Sequence, residues 1–157
     1  MNIILLTHQR EVSKKTNTGA LVVEELGTKA SVVVWERTNP DHKVLQHIEK
    51  GTAALLYPTE DSQVVSKESD FETYIVLDGT WQEAQKMYNK SPYLKALPKV
   101  KIETSAQSIY QLRRNQRQNG LCTAESVIEL LKAKGSSTAA DQLQSKLIEF
   151  VANVEKN

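Results

Sequence analysis

Apolar residues along this chain fall into short continuous runs, and between them the apolar positions recur at helical spacing. The runs at 2–6, 30–35 and 53–57, and the stretch 72–77, are each four to six residues of mostly Ile, Leu, Val and Ala. Runs of that length and continuity predict strands covered on both faces. A further strand is predicted at 99–103, where apolar and polar residues alternate, and a short edge strand at 63–65. Helices are predicted between these runs. One is capped by Asn17 or Thr18 and runs to about Leu26. A second opens at Asp41, turns Val44, Leu45 and Ile48 inward and stops at Gly51. A third carries Trp81, Ala84, Met87 and Tyr88 on one face. Tyr93 to Pro98 reads as a short turn of helix. The chain closes with a helix capped by Thr123 and ended by Gly135, and another running from about Thr138 past Phe150. Alternating strands and helices predict one α/β domain over 1–157, with a mostly parallel sheet of about five strands and flanking helices.

The strand at 72–77 runs directly into Asp78-Gly79-Thr80-Trp81. Thr80 and Glu83 have the spacing of a capping box, which makes Thr80 the N-cap of the third helix. Gly79 is then expected to take turn angles that other residues resist. Asp78 is left at the carboxyl end of a central strand, facing a helix N-terminus, where open α/β sheets keep their ligand sites. Tyr57-Pro58 and Leu121-Cys122-Thr123 lie at comparable boundaries. Together these turns offer backbone N–H groups, a carboxylate and aromatic walls, a set suited to a nucleotide-like ligand. Thr16-Asn17-Thr18-Gly19 reads from spacing as a turn and a cap. Trp81 is expected to belong mainly to the core with one exposed edge.

Charge adds one feature. The 157 residues carry a net charge of only +1, yet residues 86–117 hold eight basic side chains (Lys86, Lys90, Lys95, Lys99, Lys101, Arg113, Arg114 and Arg117) against Glu103 alone. Such a segment is either a solvated face or a patch for a polyanion. The 104–120 stretch within it is a long polar segment anchored by Ile109, Tyr110 and Leu112, and loops of that length are commonly functional or mobile. A single cysteine, Cys122, allows neither an intramolecular disulfide nor a cysteine-based zinc site, which points to a reducing, cytoplasmic setting. His42 and His47 have no third ligand at useful spacing and read as surface histidines, so no metal is expected. The opening apolar run is too short for a signal-peptide core or a membrane span.

Several machines are absent from the sequence. No glycine-rich dinucleotide fingerprint follows the first strand, no phosphate loop ends in Gly-Lys-Ser/Thr, and no Gly-x-Ser-x-Gly elbow occurs. Cys122, just before a helix N-terminus, is either a nucleophile or a small buried residue.

The segment LDGTWQEAQKM at 77–87 resembles the signature of the DTW-domain family. TNTGAL at 16–21, YP at 57–58, NKSPYLKALP at 89–98, YQLRR at 110–114 and LCTAES at 121–126 resemble family segments in the family's order. The resemblance covers about residues 6–131. It implies a tRNA-uridine aminocarboxypropyltransferase, which moves the 3-amino-3-carboxypropyl group of S-adenosylmethionine to N3 of a tRNA uridine. It also implies a SPOUT-like fold with a C-terminal trefoil knot. On that reading Asp78 is a base or a uracil-orienting group, the alternative being that it only fastens its turn. Tyr57, Pro58, Leu77, Gly79, Thr80, Trp81, Leu121, Cys122 and Thr123 would hold the cofactor, with Glu125 or Arg113 near its amino-acid end. Lys86, Lys90, Lys95, Arg113, Arg114 and Arg117 would hold tRNA phosphates. A cytoplasmic monomer is expected. The alternatives are a non-catalytic RNA-binding module and a SPOUT-like RNA methyltransferase. Many relatives carry an N-terminal cysteine cluster. With none here, the RNA contacts credited to that region are either absent or made by the basic segment.

Overall fold

The computed structural model describes residues 1–103 and 121–155. Six parallel strands form one sheet: β1 (Asn2–Thr7), β2 (Ala30–Val34), β3 (Ala53–Leu56), β4 (Gln63–Val64), β5 (Thr73–Asp78) and β6 (Lys99–Lys101), in the order β2-β1-β5-β3-β6-β4. The sixth strand relative to the expected five is the two-residue β4, anticipated only as an edge piece. Among the described residues six α-helices flank the sheet: α1 (Gly19–Leu26), α2 (His42–Lys50), α3 (Trp81–Asn89), α4 (Pro92–Lys95), α5 (Thr123–Ala133) and α6 (Ser137–Glu155). Gly51 at the end of α2 has φ 70° and Gly135 beyond α5 has φ 83°, left-handed positions that favour glycine and stop both helices as expected.

Strand side chains alternate, so each central strand feeds two cores. Ile3, Leu5, Tyr74 and Val76 face one side, where Val22 of α1, Val127 and Leu130 of α5 and Leu143 and Leu147 of α6 cover them. Ile4, Leu6, Ile75 and Leu77 face the other, under Val44 of α2, Ala84 and Met87 of α3 and Leu94 of α4. β1 and β5 are adjacent, with Thr7 directly opposite Asp78. The same alternation turns Thr7, in phase with Ile3 and Leu5, and Asp78, in phase with Tyr74 and Val76, towards α1 and α5.

Several expectations are corrected. β2 is an edge strand, and its Val32 and Val34 are exposed rather than covered on both faces. Leu45 of α2 is exposed as well, leaving Val44 as the buried anchor. Asp78 is the last strand residue rather than part of the turn. The final helix starts at Ser137, which places Thr138 inside it instead of at its cap. The segment 104–120, with Ile109, Tyr110, Leu112, Arg113, Arg114 and Arg117, lies outside the described residues.

Candidate functional site

Asp78 is 2% exposed and accepts four hydrogen bonds from three side chains. Thr7 Oγ1 donates to Oδ2 at 3.1 Å, Thr123 Oγ1 to Oδ1 at 2.8 Å, and Asn17 Nδ2 to Oδ1 and Oδ2 at 3.0 and 3.1 Å. Both carboxylate oxygens are thus met by donors, although Thr7 shares its one proton with the Leu5 carbonyl at 3.2 Å. Asn17 precedes α1 and Thr123 opens α5, so the carboxylate lies against two helix N-termini, whose dipoles favour negative charge. Thr18 Oγ1 accepts from the Ala124 N–H at 3.0 Å and ties the same two helices together. A Cβ at Gly19 would come within 2.8 Å of Asp78 Oδ2 and 2.9 Å of Asn17 Oδ1, so the approach of α1 requires glycine there.

The network continues outward through Asn17, which also donates to Glu11 Oε1 at 3.3 Å. Glu11 in turn accepts from Lys14 Nζ at 2.6 Å. Burial pushes the Glu11 carboxyl up, but the hydrogen bonds from Lys14 and Asn17 outweigh it and hold the group below the usual carboxylate range. The Glu11 bond holds Lys14 above its ordinary value, against the opposing effect of burial. His8 is buried, stacks on Trp35 with ring centroids 5.9 Å apart, and places Nδ1 3.6 Å from Glu83 Oε2.

The turn after Asp78 forms the expected capping box. Thr80 Oγ1 accepts from the Glu83 N–H at 3.1 Å, and Glu83 Oε1 accepts from the Thr80 N–H at 2.9 Å. Gly79 does not have positive φ. Its constraint is space, because a Cβ there would meet Glu83 Oε1 at 3.0 Å and Glu83 Cβ at 3.1 Å. Trp81 is half-buried and stacks with Tyr57 at 5.6 Å, and Tyr57 stacks with Tyr88 at 4.2 Å. Lys95 and Lys99 place their ammonium groups over the Tyr88 ring, 5.9 and 5.6 Å from its centroid. This aromatic row lies on the opposite face of the sheet from the Asp78 side chain, joined to it through residues 78–81.

The segment before α5 differs from expectation. Cys122, with ψ 174°, is the N-cap, and Glu125 reaches back to accept its N–H at 3.0 Å. Thr123 is the first helical residue and gives its hydroxyl to Asp78. Burial, followed by the charge of Glu125, pushes the Cys122 thiol up to about 12, which removes it as a nucleophile near neutral pH. Asp78, Leu121, Cys122 and Thr123 are therefore brought together, as are Tyr57, Trp81 and Thr80. Pro58 is exposed beside Tyr57, Leu77 is core, and Glu125 is committed to the cap. Lys86, Lys90 and Lys95 are exposed on α3, at its end and on α4. Arg113, Arg114 and Arg117 lie outside the described residues.

Reading the sequence alone misses Thr7, His8, Glu11 and Asn17 as site residues. Parallel neighbours end together, so a polar residue closing the first strand can sit beside one closing the central strand. That signal becomes usable once β1 and β5 are known to pair.

Among the described residues no group of three His, Cys, Asp or Glu side chains is arranged to hold a metal, and no helix is long and apolar enough to cross a membrane.

The sequence profile of the DTW domain matches residues 1–155, and the chain belongs to that family. It is also similar to tRNA-uridine aminocarboxypropyltransferase 2 of Drosophila melanogaster, with 29% identity over 136 residues. The match takes in 82% of this chain and 54% of the fly protein, so the chain spans about half the length of that curated relative. No solved structure matches.

Proposed function

We propose that this protein is a tRNA-uridine aminocarboxypropyltransferase that uses S-adenosylmethionine as donor and modifies N3 of a tRNA uridine. The observation that carries the reading is the convergence of three family segments on one carboxylate. TNTG supplies Asn17, the DTW segment supplies Asp78, and LCTAES supplies Thr123, all at one end of the sheet. The relative named above bears the same activity in its name.

The residues present fit a cationic, adenosine-bearing donor. Three carboxylates, Glu11, Asp78 and Glu83, lie around the ends of β1 and β5, and the half-buried Trp81 ring, stacked on the buried Tyr57, stands beside the following turn. Tyr57, Pro58, Trp81 and the backbone of Gly79, Thr80 and 121–123 would hold it. When bound, that donor supplies an electrophilic carbon next to a sulfonium. The protein then has to orient the uracil and accept its weakly acidic N3 proton. Asp78 is the proposed orienting group. For Asp78 to take the proton, one of its three donors must turn away. The Asn17 amide, already divided between Asp78 and Glu11, is the one that does so at least cost. Lys86, Lys90 and Lys95, with Arg113, Arg114 and Arg117, are the proposed phosphate contacts. A SPOUT-like knot over the C-terminal half and a cytoplasmic setting belong to the same proposal.

The test is mass spectrometry of tRNA nucleosides after incubation with the protein and S-adenosylmethionine. An aminocarboxypropyl-uridine, with methylthioadenosine released, is expected. Release of S-adenosylhomocysteine with a methylated nucleoside would replace this reading by methyl transfer. Tight tRNA binding with no calorimetric signal for the donor would leave an RNA-binding module.

A further inference from the structure

A cavity of about 200 Å³ lies at the other end of the sheet from Asp78, at the amino ends of β1, β2 and β5 and beside α2. Asn2, Lys29, Ser31, Lys43, His47 and Thr73 contribute its polar lining, and no carboxylate lines it. Thr73 opens the six-residue strand that Asp78 closes, so at ~3.3 Å per residue the two sites are about 17 Å apart. Neither shares a residue with the other.

Two features of this cavity are unusual for the wall of a folded domain. Thr73 is 0% exposed, and its Oγ1 has no hydrogen-bond partner among the described residues. His47 Nδ1, in the same cavity, also has none. Buried polar atoms are nearly always paired, and each exception calls for a partner. His47 was expected as a surface residue, but its ring turns partly inward while His42 is exposed. Lys43 lies four residues before His47 on α2 and so shares its face. Lys29 approaches from the turn before β2. Neither lysine makes an ion pair among the described residues. Two lysines without ion pairs, a buried hydroxyl and an imidazole nitrogen thus line one cavity with no acidic neighbour among its lining residues. The acceptor that fits it is an oxyanion.

We propose that this cavity binds a small oxyanion, the phosphate or carboxylate group of a low-molecular-weight ligand, independently of the Asp78 site. Lys29 and Lys43 supply charge, and Thr73 and His47 supply the buried hydrogen bonds. Charge-assisted bonds of this kind are the strong ones.

NMR titration of the full chain with inorganic phosphate, at ionic strength held constant with chloride, tests the assignment. Saturable shifts are expected at Asn2, Thr73 and the His47 ring with a millimolar dissociation constant, while Asn17, Asp78 and Thr123 stay still. The variant Lys29→Ala/Lys43→Ala, surface changes that leave the fold intact, is expected to weaken binding about tenfold or more. Thr73→Val is expected to weaken it while keeping the spectrum's dispersion. Acetate in place of phosphate separates carboxylate from phosphate ligands. The proposal is overturned by an equal response to chloride, by shifts scattered over all surface lysines, or by no saturation at tens of millimolar. It is also overturned if a short oligoribonucleotide moves these signals and phosphate does not. None of these outcomes bears on aminocarboxypropyl transfer, which is read separately from the tRNA product.

Discussion

At Asp78 four accepted hydrogen bonds decide what a substitution costs. Asp78→Asn keeps the shape but turns an NH2 donor towards Thr7, Asn17 or Thr123, all of which already donate. Thr7 can turn its hydroxyl to the Leu5 carbonyl and accept from that NH2, but the charge-assisted bonds become neutral ones, so a loss of about 1–3 kcal/mol is expected, measured by urea unfolding. Thr123→Val removes one donor and leaves the carboxylate its other partners, so about 1 kcal/mol is expected. Wild-type stability in Asp78→Asn would show that the carboxylate is not the anchor of this corner. Glu11 gives a pH signature. Its folded pKa is depressed, so its contribution is present above the ordinary value of 4.5 and is lost as pH falls through the folded value. The stability difference between wild type and Glu11→Gln is therefore expected to be largest near neutral pH and to shrink between about pH 5 and pH 3. A difference that grows on acidification would contradict the Lys14 and Asn17 bonds.

Among the elements, α3 was legible because its start signal is local: Thr80 and Glu83 are three residues apart and bond each other's backbone. Thr80→Ala is expected to cost about 1 kcal/mol, and Thr80→Ser close to nothing, in thermal or urea unfolding. Equal stability of the two variants would mean that the box carries no weight. The start of α5 has the same kind of signal and was misread by one residue. Thr123 looked like the cap, but its hydroxyl has a buried carboxylate to bond 45 residues away in sequence, which no local spacing reveals. Cys122 then takes the cap, with Glu125 closing it. β2 was misread for a related reason. A run of three valines fits a strand covered on both faces, but sheet order decides coverage. At the edge, Val32 is 50% exposed and Val34 43%. Likewise Asn17 looked like a turn residue because its role depends on β1 lying beside β5.

Over the whole molecule, alternating periodicities gave the α/β class, while the strand order β2-β1-β5-β3-β6-β4 was beyond them. That order matters for function because it sets β1 beside β5 and gathers the carboxylates at one end. It also carries α3 away from that end, with Lys86 and Lys90 exposed along it. From Trp81, the first residue of α3, these lysines are about 8 and 14 Å further along, at 1.5 Å per residue. Lys95 sits over Tyr88, which stacks on Tyr57, so the basic surface adjoins the aromatic row beside the turn. None of Lys86, Lys90 and Lys95 makes an ion pair among the described residues, leaving them available to phosphates. If they and the arginines of 113–117 meet a tRNA backbone, each phosphate contact releases counterions. The logarithm of the binding constant is then expected to fall against the logarithm of salt with a slope of roughly −3 to −5. Lys86→Gln and Lys90→Gln are each expected to reduce that slope by about 1 and to weaken all tRNAs alike, because phosphate contacts carry no sequence information. Lys29→Ala/Lys43→Ala, at the other end of the sheet, is expected to leave it unchanged. A flat salt response in wild type, or an equal loss from the two ends, would place the RNA elsewhere on the molecule.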